Sequence, residues 1–166
     1  RPELDMRGGF WRSSMRKIIY TRPDGGLSVV HPVINTYPKR EEITEEEAEQ
    51  RSWDRLPKDA INPRFVGESE IPTDRAFRNA WEDNGGVKVN MPKAREIHKI
   101  GLRELRAPKL AALDIEYQRA DERGDSAAKV SISRKKQALR DVTTDQRISA
   151  AATIDELKAA IPDALK

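Results

Sequence analysis

The 166-residue chain has no cysteine, which excludes a disulfide scaffold and any thiolate metal site and leaves the redox compartment open. Its two histidines, His31 and His98, lie far apart with no partner at ligand spacing. No apolar run approaches the roughly 18 residues of a membrane span. Aromatic residues make up 5% and apolar residues 37%, against 36% charged, and the mean hydropathy is −0.78. Such a chain has little with which to fill one large core. It suits an elongated helical protein, or a small folded unit carrying a solvated arm.

Catalytic signatures are missing as well. Phosphate loops, nucleotide fingerprints, zinc spacings and nucleophile elbows do not occur. The carboxylate pairs Glu45/Glu46 and Asp121/Glu122 sit beside helix charges, with nothing nearby to bury them and tune them as general acid and base. The expectation is a chain with no catalytic residues, no metal and no cofactor.

Charge is present in quantity but nearly balanced, at +3 net. Its distribution is uneven: eight acidic against three basic residues between Glu41 and Asp59, and thirteen basic against eight acidic between Pro92 and Val142. Two solvated helix faces of opposite sign account for this; the sharper reading is that the patches meet, within a chain or between copies.

Four stretches follow from the patterning, giving an α+β, mainly α fold. Residues 1–14 lack periodicity and are expected to be an unstructured leader or fragment end, with Met15 opening the first patterned segment. Residues 15–90 form a small region of β-hairpin and short helices. Its β-branched runs Arg16 to Arg22 and Leu27 to Val33 flank Pro23-Asp-Gly-Gly26, whose Asp-Gly accepts the positive φ of a tight turn. Pro38 to Ile43 reads as a linker. Thr44 and Glu47 make a capping box for a helix to about Leu56, stopped by Pro57, with Trp53 and Leu56 inward. Lys58 to Pro72 is extended chain held by Ile61, Phe65, Val66 and Ile71. Thr73-Asp74 predicts a short helix from Arg75 to about Glu82, placing Phe77 and Trp81 on one face. A turn at Asp83-Asn-Gly-Gly86 precedes a brief strand, Val87 to Val89.

Residues 91–144 form a helical hairpin. Pro92 suits a first helical turn, capped by Asn90 or Met91, and Ala94, Ile97, Gly101 and Leu105 step along one stripe. Pro108 is expected to kink or divide this helix. Leu110, Leu113, Tyr117 and Ala120 continue the stripe to a turn at Gly124-Asp125. Ser126 opens the return helix, which turns Ala127, Val130, Ala138 and Val142 toward its partner. Residues 145–166 form short helices, one around Ile148 to Ala152 and one opened by a Thr153/Glu156 box, with Leu157 and Ile161 inward and Pro162 as the stop.

Candidate partner-binding residues are Phe77, Trp81, Leu105, Leu113, Tyr117 and Leu139. For Phe77 and Trp81 the simpler reading is core. The basic run Arg134, Lys135 and Lys136 with Arg140 would contact phosphates in a nucleic-acid-binding alternative. Asp114, Glu116, Asp121, Glu122 and Asp141 on the same arm oppose that role.

The segments Asp74 to Trp81, Asn90 to His98, Arg106 to Asp114 and Lys136 to Val142 resemble uncharacterised phage and prophage proteins of phages infecting alphaproteobacteria, over most of the chain after Met15. The C-terminal part is similar to the end of tail fibre assembly proteins. There an arginine-rich helix ends in a leucine-rich, aspartate-containing segment and precedes a Gln-Ala-Leu-Arg-Asp motif, matched here by Arg106 to Asp114 and Lys136 to Val142. That family often has proline and tryptophan after the motif, whereas this chain continues Thr143-Thr-Asp-Gln146. The resemblance implies a small non-enzymatic factor in the host cytoplasm or retained in the virion. It would help tail fibres fold or attach, with a tail fibre or other tail protein as partner, and it would use no membrane or nucleic acid. A structural tail or baseplate component, oligomeric through the hairpin, is the alternative.

Overall fold

The computed structural model describes residues 15–36 and 41–166, with only the backbone described for residues 35, 36, 41 and 42. The expectation for residues 1–14 and part of the Pro38 to Ile43 linker lie outside the described residues. The fold is α+β and mainly α: antiparallel strands come first, then a long helix and further helices. It divides into two compact units. One takes the chain up to Thr73 together with Glu82–Lys88; the other takes Asp74–Trp81 and Val89–Lys166.

In the first unit, β1 (Lys17–Thr21) and β2 (Leu27–Val30) form the expected hairpin, paired from Ile18↔Val30 to Thr21↔Leu27. Gly25 at φ 78 supplies the left-handed turn residue, and the Asp24 carboxylate accepts from Gly26 N at 2.8 Å. The short pair β3 (Asn35–Thr36) and β4 (Glu41–Glu42) lies beside α1 (Glu45–Asp54) in sequence. The capping box forms as expected: Glu47 N donates to Thr44 Oγ1 and Thr44 N to Glu47 Oε2.

The Lys58 to Pro72 stretch contributes a third strand, β5 (Ile61–Val66), on the other edge of β1. Proline at 63 argues against a ladder position, and the register explains its presence. Two steps along β1, Ile19 to Thr21, span three along β5, Arg64 to Ile61, so Asn62 and Pro63 form a bulge. Asn62 takes φ 50, tolerable for a short polar side chain, and Pro63 lies where no amide is required. Ile18 and Ile19 point to opposite faces and both are fully buried, so the central strand is covered on both sides.

Between the units in sequence lies the first correction. Asp74–Glu82 is not a helix. Asp74 accepts from Ala76 N at 3.0 Å, a single 3-10 turn covers Arg78–Ala80, and the chain then extends as β6 (Trp81–Asp83), paired with β7 (Val87–Val89). A helix pinned between Pro72 and a Gly-Gly turn has too few residues to repay its nucleation, while the turn offers a ready strand partner.

The second unit is the helical hairpin with its C-terminal helices. Helix α2 (Met91–Glu122) runs 32 residues, capped by Asn90 Oδ1 accepting from Lys93 N at 3.0 Å. It passes through Pro108 undivided, so of the two expected outcomes, a kink or a division, the division does not occur. Glu104 and Pro108 are both exposed, so the carbonyl left without its helical donor faces water. Gly124 at φ 68 makes the turn, and Asp125 caps α3 (Ser126–Arg140) by accepting from Ala128 N. A 3-10 turn at Asp141–Thr144, α4 (Gln146–Ala150), α5 (Ile154–Ala159) and a last 3-10 turn at Asp163–Leu165 follow. The Thr153/Glu156 box is present. The core gathers Phe77, Ala80, Ala94, Leu102, Val142, Ile148, Ala151, Leu157 and Ala160. Ile161, expected inside, is exposed, because α5 ends at Ala159 and the fully covered position falls on Ala160.

The inward stripes also differ from the expected ones. On α3, Ile132 and Leu139 are buried, whereas Ala127, Val130 and Ala138 are exposed. On the first half of α2, Leu105 is 58% exposed and Leu102 is buried. The face at 95, 98, 102 and 106 turns inward, Lys109 continues its line at the surface, and four of these five residues are basic.

Candidate interaction surface

Those four residues have a common task. Arg95 Nη2 donates to Ala151 O at 2.8 Å, and the His98 Nε2–H to Ala160 O at 3.0 Å. Arg106 Nη1 donates to Arg140 O at 2.7 Å, and Lys109 Nζ to Leu165 O at 2.9 Å. Each acceptor is the last residue or C-cap of a helix or 3-10 turn. Carbonyls there lack intrahelical donors and carry the negative end of the helix dipole, so a cation satisfies both needs. Three of the arm's thirteen lysines and arginines, Arg95, Arg106 and Lys109, are thus engaged by carbonyls of the same fold. His98 is engaged in the same way, although the sequence suggests no partner for it; its ring also lies 6.3 Å from that of Phe77.

The two long sides of the α2–α3 hairpin are unlike. Along one, Lys129 Nζ meets Asp121 Oδ1 at 2.6 Å and Lys136 meets Asp114, with the Lys136 ammonium 5.3 Å from the Tyr117 ring centre. Along the other, an apolar groove of about 360 Å³ opens between Ala112 and Leu113 of α2, Ala138 and Leu139 of α3, and Ala164, with Lys109 and Lys135 at its edges. Three alanines leave the space that larger side chains would fill. Leu105 stands seven residues before Ala112, two turns away on the same face. Lys135 and Arg134 are exposed and make no ion pair among the described residues.

The predicted partner-binding residues are distributed accordingly. Phe77 and Trp81 are 7% and 2% exposed, so both are interior and the partner role assigned to them is withdrawn. Leu139 is also buried, forming part of the groove floor beside half-buried Leu113. Tyr117 is half-buried beneath Lys136, and Leu105 alone of the six stands out in solvent. The basic cluster does not converge. Lys136 is engaged by Asp114, and Lys135 edges the groove. Helical rotation sets Arg134 on a different side of α3 from Arg140.

The sheet unit holds a buried carboxylate that no sequence pattern had singled out. Glu49 is 6% exposed. Its Oε2 accepts from Arg16 Nη2 at 2.6 Å and Nε at 3.0 Å, while Oε1 accepts from Arg16 N. The Arg16 guanidinium also lies 4.3 Å over the Phe65 ring, which stacks on Trp53 at 4.9 Å. Glu49 shares the inward helix face of Trp53 and Leu56, and an acid on such a face was the available signal. Hydrogen bonds from Arg16 hold its carboxyl below the usual range, and those from Arg64 do the same for Asp83, paired at 2.8 and 2.9 Å. Every described carboxylate with a resolved shift moves downward, the direction opposite to that of a general acid working near neutrality.

No group of three or more potential metal ligands occurs among the described residues, and no described helix is long and apolar enough to cross a membrane. Compared with known proteins, the chain matches no family model, no curated sequence and no solved structure.

Proposed function

We propose that the protein is a non-enzymatic assembly factor or chaperone for a phage tail fibre, and that the α2–α3 hairpin is its polypeptide-binding element. The observation that carries this reading is the asymmetry of the hairpin. Its ion-paired side is closed, while its other side offers an apolar groove that continues the line of exposed Leu105. Groove recognition of an apolar helix or strand needs such a floor and a few polar groups at the rim. The likeness of Arg106 to Asp114 and Lys136 to Val142 to tail fibre assembly proteins supplies the biological setting.

Co-expression with a candidate tail fibre, chosen by whether a fibre gene neighbours this one, tests the proposal. Soluble, trimeric fibre is expected to rise several-fold with the wild-type protein, and Leu105→Asp with Ala138→Glu is expected to abolish the gain while far-UV circular dichroism stays unchanged. Equal fibre solubility with and without the protein would sink the idea.

A structural tail or baseplate role is the second reading, and one observation favours it. Ile100, Ala107, Ala111 and Ile115 recur at seven, four and four residues on a face away from the core, and all are exposed. That role calls for a symmetric oligomer and for copies in purified particles.

A further inference from the structure

A cavity of the sheet unit lies in the most acidic part of the sequence, yet none of its lining residues is acidic among the described residues. It measures about 630 Å³, within the roughly 300–1,000 Å³ typical of ligand pockets. Arg51 and Arg55 line it with Ser52, Tyr20 and His31, and its apolar walls include Val30 and Leu56.

The two arginines are the informative pair. They stand four residues apart at the C-terminal end of α1, on one face with Ala48 and Ser52, all of which line the cavity. Like charges at this spacing repel and destabilise an isolated helix. Both are exposed and neither makes an ion pair among the described residues, although α1 is rich in glutamate. The helix dipole favours cations at this end. It gives no reason for two of them to border a cavity with aliphatic walls and hydroxyl groups.

We infer that this cavity is a binding site for a small organic anion, its carboxylate or phosphate held by Arg51 and Arg55 and its apolar body against Val30 and Leu56. Guanidinium groups suit both headgroups because each presents paired donors to paired oxygens. The Tyr20 hydroxyl supplies a further donor at the wall, whereas the Ser52 hydroxyl donates to Ala48 O at 2.8 Å. This site is independent of the hairpin groove and of the assembly role.

Calorimetric titration of the full chain with hexanoate, hexyl phosphate and hexylamine, with inorganic phosphate as a headgroup-only control, tests the inference. Hexanoate or hexyl phosphate is expected to bind at least tenfold tighter than hexylamine and than inorganic phosphate. If hexanoate fails while hexyl phosphate binds, the headgroup is phosphate; the reverse assigns a carboxylate. Arg55→Gln and Arg51→Gln should each weaken the tighter ligand at least tenfold, with Arg55→Lys losing less. Leu56→Asp should abolish the preference for the hexyl chain, and amide chemical shifts of β1 and α1 report whether each variant is folded. Binding that is equal for the amine and the anions, or that survives both arginine substitutions in folded protein, would overturn the inference. So would no binding by either anion at 10-millimolar concentration, on the order of the weakest affinity such small ligands show.

Discussion

The two units put arginine and lysine to different uses. In the sheet unit the cations meet carboxylates: Arg16 with Glu49, Lys17 with Glu68, Arg64 with Asp83 and Glu70. The helical unit has ion pairs too, such as Lys129 with Asp121, but there Arg95, Arg106 and Lys109 of α2 also meet backbone carbonyls at the ends of later helices. The difference follows from what each unit must satisfy. A twisted sheet pairs its own amides and carbonyls and leaves side chains to find counter-ions. A set of short helices exposes many unpaired carbonyl ends, and one long helix bearing cations along a face can satisfy them in turn. Both units hold carboxylates kept below their ordinary range by cations, but the buried one, Glu49, is in the sheet unit, which should therefore be the more sensitive to acid.

The largest expected effect tests whether the units are separate at all. Leu102 is 2% exposed within the helical core, and Leu102→Ala should cost about 2–5 kcal/mol. Segment-resolved hydrogen exchange is expected to show lost protection in α2, α4 and α5 with β1 unaffected. Equal loss in β1 would make the two units one cooperative body and end the comparison.

Much of this architecture was readable from sequence where the signal is local. The Asp24-Gly25 hairpin, both capping boxes and the Gly124-Asp125 turn rest on a few adjacent residues whose chemistry has few alternatives. Features set by distant partners were not. Strand β5 hides behind Asn62-Pro63, which only the bulge opposite Tyr20 accommodates. The α2 stripe is inward at Ala94, Ile97 and Ala120, as the apolar pattern indicates. Apolarity could not show that Arg95, His98 and Arg106 turn inward as well, with Lys109 at the surface, to reach carbonyls. Of the candidate surface, Leu105 and Leu113 could be picked out as apolar. The groove lined by Leu113 could not, since it consists of what Ala112, Ala138 and Ala164 leave empty.

The next effect sharpens the contrast in charge. Glu49→Gln keeps the shape but removes the anion facing Arg16, and should destabilise the sheet unit by about 1–3 kcal/mol, the range for hydrogen bonds to charged groups. The wild-type protein carries the same test in its pH dependence. Glu49 and Asp83 have carboxyls held below their ordinary values, so their contribution is present above the unfolded-state range near pH 4 and is lost as pH falls through and below it. Acidification from pH 7 to 3 is expected to deprotect β1 and β5 before α2, and Glu49→Gln should flatten that response. If α2 lost protection first, the exposed pairs of the helical unit, such as Asp74 with Lys158, would carry more weight than such pairs usually do.

The smallest effects come from the one device the units share. Thr44/Glu47 and Thr153/Glu156 form the same reciprocal box at the starts of α1 and α5. Thr44→Ala and Thr153→Ala each remove one cap acceptor, and each should cost about 1 kcal/mol, within the range for such substitutions. Their reach should differ. Helix α5 has six residues and anchors fully buried Leu157, so fraying at Thr153 loosens a core contact and should be felt at α2. Helix α1 has ten residues, and its buried Glu49 sits a full turn inside, tied to Arg16. Fraying at Thr44 should therefore stay within the first turn, leaving exchange at β1 unchanged. Should Thr44→Ala expose β1 as strongly as Thr153→Ala exposes α2, the Arg16–Glu49 contact would depend on the whole helix, and the sheet unit would be less locally secured than its ion pairs indicate.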